Sequence, residues 1–215
     1  MMRYLKLSSI LLLLLAAACS NPYKKLQLTE KSGRTAFAYK PQFNKELYRC
    51  VVDGKVLFKK FHLSGVLFFK NMPDKGTRVV FQNEMGFAFF DFEWSANDVF
   101  AVKQIIPQLN KPAVVKTLRK DLELLLLRNL DKTTETTFTD GTYTYERFTL
   151  QKGYAYYIEN GKQLLRIENA GKKKVMSINL DGNARKTTLT DSIFIKHYKA
   201  HFTIDLKKIP PHAEE

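Results

Sequence analysis

The apolar positions of this chain fall into three regimes: one continuous run, many short alternating segments and one helical stripe. The continuous run comes first. Met1-Met2-Arg3-Tyr4-Leu5-Lys6 leads into an almost unbroken apolar stretch over residues 7–15, then Ala16-Ala17-Ala18-Cys19. A short cationic start, a short apolar core and small residues before a cut site are the parts of a secretory signal. The stretch is shorter than the ~20 residues of a bilayer-spanning helix, so residues 1–18 are expected to be a cleaved signal peptide. The chain then turns polar, with Pro22, Gly33 and several lysines, and residues 19–35 read as a flexible tether.

Residues 36–210 read as one domain built mainly from strands. Segments 47–52 and 55–61 flank Asp53-Gly54, a dipeptide suited to a two-residue hairpin turn. The second strand continues to residue 70, with Gly65 marking a bend or bulge, and Met72-Pro73-Asp74-Lys75-Gly76 follows as a turn. Further strands are expected at 77–82, 87–94 and 99–105, and later at 143–150, 154–159, 164–167, 175–180, 186–189 and 193–206. Asn160-Gly161, Ala170-Gly171 and Asp181-Gly182 supply turns, and 133–141 reads as a loop or weak edge strand. This spacing predicts an up-and-down antiparallel sheet. In the last segment Phe194, Tyr198, Ala200, Phe202, Ile204 and Leu206 alternate with His197, Lys199, His201, Thr203 and Asp205, which predicts one core face and one wet face.

The period changes once. Over residues 110–130, Val114, Val115, Leu118, Leu122, Leu125 and Leu126 recur at helical spacing, with Asn110 placed to cap and Pro112 suited to the first turn. One amphipathic helix is predicted there.

Charge and cysteine content narrow the picture. Loss of residues 1–18 removes Arg3 and Lys6 and lowers the net charge from +14 to +12. The positive residues are scattered over turns and edges, and an exported protein meets no nucleic acid, so they read as solvated faces with some attraction to anionic headgroups. Cys50 lies in an apolar strand-like segment and reads as a buried thiol without a disulfide partner.

Catalytic constellations are not legible. On one strand His197 and His201 would stand ~13 Å apart, too far to share a metal ion. Asp91 and Glu93 share a strand face at ~7 Å, a pairing that could serve glycoside hydrolysis, but they read as charges on the solvent side of an amphipathic strand. No nucleophile elbow or phosphate-cradling glycine pattern occurs. No enzyme, cofactor or metal is expected.

Leu15-Ala16-Ala17-Ala18-Cys19 resembles the lipobox of bacterial lipoproteins, which implies that Cys19 becomes the acylated first residue of a membrane-tethered protein. Ser20 resembles the residue that permits sorting to the outer membrane, and Asn21-Pro22-Tyr23-Lys24-Lys25 lacks an acidic surface-display cluster. The implied place is the periplasmic leaflet of the outer membrane. Residues 61–69 followed by 77–92 resemble the LolA/LolB superfamily of lipoprotein carriers and receptors, in the order of a Gly-bearing strand, a second strand and an Asn-to-Gly corner. The chain is also similar to Bacteroidetes-type envelope lipoproteins. The resemblance implies an unclosed antiparallel β-barrel capped by the predicted helix, a monomer, and an apolar concave face holding a lipid or acylated polypeptide. Candidate cavity residues are Leu67, Phe69, Val79, Phe81, Phe90, Phe92, Trp94, Leu118, Leu122, Tyr156, Phe194, Tyr198 and Phe202. The same residues at the same spacing would equally fill a core without a cavity, as in an envelope scaffold or assembly partner.

Overall fold

The structure is a computed structural model that describes residues 21–29, 40–56, 59–130, 136–161, 163–182 and 189–210. Residues 1–18, expected as a signal peptide, and Cys19 lie outside these residues. One antiparallel sheet of 13 strands carries the molecule. Its strands are β1 (Gln27–Leu28), β2 (Lys45–Val56), β3 (Lys59–Asn71), β4 (Thr77–Gln82), β5 (Ala88–Trp94), β6 (Phe100–Ile105), β7 (Thr136–Thr139), β8 (Thr144–Thr149), β9 (Tyr154–Asn160), β10 (Gln163–Ala170), β11 (Lys174–Asp181), β12 (Ser192–His197) and β13 (Phe202–Lys208). In space they run β1-β7-β8-β9-β10-β11-β12-β13-β2-β3-β4-β5-β6. Two meanders are thus joined where β13 pairs with β2, and β1 and β6 form open edges.

The single α-helix among the described residues, α1 (Pro112–Leu125), follows from this order. It links β6 to β7, which lie towards opposite edges, so the connection must cross one face of the sheet. An amphipathic helix can do so while its own backbone hydrogen bonds stay paired. Its Leu122, Leu124 and Leu125 join Phe69, Phe92, Trp94, Phe148, Ile178 and Leu206 in one core on the concave side. The expected half-barrel with one capping helix is therefore the observed architecture.

Several boundaries move. The hairpin between the first long strands is present, but its turn is not Asp53-Gly54. Pairing continues through Asp53↔His62 and Gly54↔Phe61 to Val56↔Lys59. Gly54 is there for space: a Cβ would lie 2.3 Å from the Phe61 ring and 2.7 Å from Phe202 Cβ. Gly65 makes no bulge with β2, since Cys50↔Gly65 is a regular pair. It admits the Gln82 carbonyl, which would stand 2.0 Å from a Cβ.

The strand expected over residues 193–206 is two strands, β12 and β13, joined through residues 198–201, with His201 at φ 51°. Pairing of Ile195 with Ile204 and of Phe194 with Asp205 reverses the predicted faces along β12. Ile193, Ile195 and His197 point inward, so Phe194 points outward. Along β13, Ile204 and Leu206 keep the expected core face. The strand expected at 186–189 falls mostly outside the described residues.

The helix also differs at its ends. Lys111, not Asn110, is the cap, and it makes no side-chain cap bond. The Asn110 amide donates to the Ile106 carbonyl and belongs to the preceding turn, while the Lys111 carbonyl accepts from Val114 and Val115. The helix stops before residue 130 because Leu127 and Asn129 adopt φ of 53° and 54°. The buried Arg128 between them donates to the Ser95 carbonyl, Asp98 and Thr77.

Part of the segment expected as a tether is built onto the sheet. Pro22–Lys25 forms one 3-10 turn, and β1 pairs with β7 through Gln27↔Thr139 and Leu28↔Phe138. Tyr23 stacks on Tyr156 at 4.1 Å between ring centroids, and its hydroxyl donates to Glu168. These contacts lie on the convex face, where Tyr145, Tyr156, Ile158 and Ala170 form a second small cluster with Tyr23, Leu26 and Phe138 against it.

Candidate functional site

The concave face is filled along only part of its length. Where the second half of α1 meets the sheet, Phe92 packs edge-on against Trp94 and Phe100. Trp94 Nε1 donates to Glu123 there at 3.1 Å, and Tyr157 Oη donates to the Leu124 carbonyl at 2.6 Å. Towards the start of the helix the layers separate and leave a cavity of about 900 Å³.

Its walls are built from the sequence in a simple way. On β2 and β3, Val52 pairs with Leu63, and Phe61 lies two positions before Leu63 on the same face. Phe81 and Phe90 are directly opposed on β4 and β5 and supply the next wall. Phe202 enters from β13 through the space left by Gly54. Val114, Thr117 and Leu118 of α1 and Leu109 before it form the roof. The lining is almost wholly apolar. Lys60, Gln108 and Thr117 are its polar members, and Lys60 stands exposed at the mouth. The β4–β5 turn at the same end exposes Met85 and Phe87, the latter also a lining residue.

Volume and chemistry both suit an apolar ligand. Ligand cavities run from ~300 to ~1,000 Å³ and are mostly apolar with few polar groups. Burial of hydrocarbon would drive occupancy at ~25 cal/mol per Å² removed from water.

Phe81, Phe90, Leu118 and Phe202, four of the candidates taken from sequence, line this cavity. Leu67, Phe69, Val79, Phe92, Trp94 and Leu122 lie in the packed core beyond it, because the second half of the helix descends onto them. Tyr156, Phe194 and Tyr198 are not in it. Tyr156 belongs to the convex cluster, Phe194 is turned outward by the register of β12, and Tyr198 lies in the hairpin turn, with its hydroxyl 3.2 Å from Ser177 Oγ. Val52, Phe61, Leu63, Phe87, Leu109 and Val114 line the cavity without having been candidates. The alternation Phe61, Leu63, Gly65, Leu67, Phe69 carried the signal for two of them; Leu109, in a turn, had none.

A buried polar pair sits behind the cavity wall. His197 Nε2 lies 2.7 Å from Asp121 Oδ2, and the His197 ring stacks on Phe202 at 4.0 Å. Burial raises the Asp121 pKa, against the His197 hydrogen bond and the nearby positive groups that lower it. On the sheet, Asp91 receives two bonds from Arg78, and Glu93 stands 3.5 Å from Lys103. The two carboxylates are therefore committed to separate ion pairs. Among the described residues no group of three His, Cys, Asp or Glu side chains is arranged to hold a metal ion, and no helix is long and apolar enough to cross a membrane.

No protein-family model and no curated protein matches this sequence. Solved structures do. A LolA superfamily protein from Nitrosomonas europaea is similar at 8% identity and a TM-score of 0.49, over 80% of this chain and 88% of that one. An outer membrane lipoprotein-sorting protein domain from Vibrio parahaemolyticus is similar at 8% identity and a TM-score of 0.46, over 83% and 91%. A DUF1329 family protein from Desulfovibrio piger gives 10% identity and a TM-score of 0.41, over 77% and 84%.

Proposed function

We propose that this chain is a lipid-anchored envelope protein, tethered through acylated Cys19, which binds or passes on a lipid or acylated polypeptide in the cavity beneath α1. The cavity carries the reading: about 900 Å³ of space remains between Phe61, Phe81, Phe90 and Phe202 below and Val114 and Leu118 above. A core that served only stability would close this space, because interiors pack with few voids larger than a water molecule. The lining offers mostly hydrocarbon contact, with Lys60, Gln108 and Thr117 as its polar members, which suits carriage of an apolar ligand.

The signal sequence and lipobox support anchoring, and Ser20 supports the periplasmic leaflet of the outer membrane. The protein acts there as a monomer. Native mass spectrometry of protein purified from membranes tests the carrier role. An acyl-bearing ligand should be retained, or taken up when palmitate-bearing ligands are added. Apo protein alone, with no uptake, overturns it.

A further inference from the structure

We propose that the end of the half-barrel at which the cavity opens is a seat for an anionic lipid bilayer. The inference rests on the anchored reading for the presence of the membrane, and not on acyl binding.

Antiparallel order places alternate turns at the same end of the sheet. The start of β3, the residues before α1 and the β8–β9, β10–β11 and β12–β13 turns all meet at the cavity end. They carry Lys60, Lys111, Lys152, Lys172, Lys173 and Lys199, all exposed and none ion-paired among the described residues. Among the described residues the acids nearby are few: Asp53 is bonded to His62 at 2.8 Å, and Glu84 lies in the β4–β5 turn. The opposite end mixes signs, with exposed Asp74, Asp140, Asp181 and Asp191 beside Lys45, Lys70 and Lys75. A cationic rim of this kind repels itself until a polyanion covers it. An anionic bilayer fits best because the rim shares its end of the sheet with an apolar opening, at whose mouth Lys60 stands.

The N-terminal segment points the same way. Tyr23 is fixed to Tyr156 and Glu168, near the first residue of β9 and the last of β10, which lie at the cationic end. Cys19 precedes Tyr23 by four residues, at most ~14 Å of extended chain. An anchor this short holds the rim close to the surface potential, which decays over a Debye length of ~10 Å in 0.1 M salt.

The test uses the acylated protein purified from membranes and reconstituted into vesicles of phosphatidylcholine, alone or mixed with phosphatidylglycerol. Lys173→Cys or Lys70→Cys carries an environment-sensitive fluorophore, and quenching by nitroxide lipids is read. Quenching at position 173 should be several-fold stronger than at position 70, should require phosphatidylglycerol and should be lost in high salt. Lys172→Glu with Lys199→Glu should abolish that difference, whereas Lys45→Glu with Lys70→Glu, read at position 173, should not. Equal quenching at the two ends, or no dependence on phosphatidylglycerol, overturns the proposal. A Cys19 peptide without acyl mass sinks the anchored reading alone. The same protein then tests the seat by sedimentation with anionic vesicles, which the Lys172 and Lys199 changes must abolish. Salt-sensitive capture of an acidic protein in place of vesicles also overturns it.

Discussion

Asp121 of α1 and His197 of β12, 76 residues apart in the chain, meet at 2.7 Å with both side chains buried. Lys120 bonds to Asn169 at 2.7 Å, and the Leu124 carbonyl accepts from Tyr157. The polar fastenings of the helix to the sheet thus lie in its second half, while the first half roofs the cavity with Val114, Thr117 and Leu118. Loss of one partner strands the other in a dry site, at a cost of ~3–5 kcal/mol. Urea unfolding of His197→Ala should show a loss of that order.

The same pair sets a pH dependence. Burial holds the Asp121 pKa above its ordinary value of 3.8. A carboxyl of this kind binds more protons folded than unfolded. Its contribution to stability is complete below the unfolded pKa and is lost as pH rises through the folded one. From pH 4 upward, wild-type stability should fall relative to Asp121→Asn. Parallel curves for the two proteins would refute this.

Ligand uptake should separate cavity residues from core residues. Leu118→Trp places a larger side chain in open space, so it should weaken uptake of a fluorescent fatty acid about tenfold, equivalent to ~1.4 kcal/mol. Its effect on stability should stay below the ~1–3 kcal/mol of overpacking in a filled core. Phe92→Ala should do the reverse, costing ~3–5 kcal/mol of stability while folded protein still binds.

Gly54→Ala tests the reason for glycine inside β2. The added methyl would overlap the Phe61 ring and Phe202 Cβ. A loss of ~1–3 kcal/mol is expected from forced repacking, with a lower Tm. Because both neighbours line the cavity, fatty-acid affinity should fall as well.

Cys50 should be silent to thiol reagents in the native state. It is 1% exposed, and burial pushes its pKa up to about 12, with Asp205 adding to the rise. Thiolate is the reactive form. Mass spectrometry after maleimide treatment should find Cys50 unmodified in native protein and labelled in urea.

Much of the architecture was legible because strand and helix differ in period. The alternation in β4 was read with its boundaries, and the only stretch of 3.6-residue periodicity became α1. The errors came where one local signal had two uses. Asp53-Gly54 resembles a turn, yet its glycine makes room for the Phe61 ring and the Phe202 Cβ from neighbouring strands. The alternation from residue 193 to 206 resembles one strand, yet His201 at positive φ helps fold it into a hairpin and reverses the faces of β12. Pairing partners decided both, and partners are distant in sequence.

By itself, then, the sequence determined the class of fold, because hydrophobic periodicity dictates which local structure can bury an apolar face. It also carries, over residues 1–19, the pattern that resembles a signal peptide and lipobox and on which the anchoring proposal rests. Only the tertiary structure decided which apolar residues pack and which line a space. Phe81 and Phe92 are alike in residue type and alternation, and both are buried. What separates them is the helix above: its second half is drawn onto the sheet by Asp121 and His197, and its first half stands off, leaving Phe81 at the wall of a cavity.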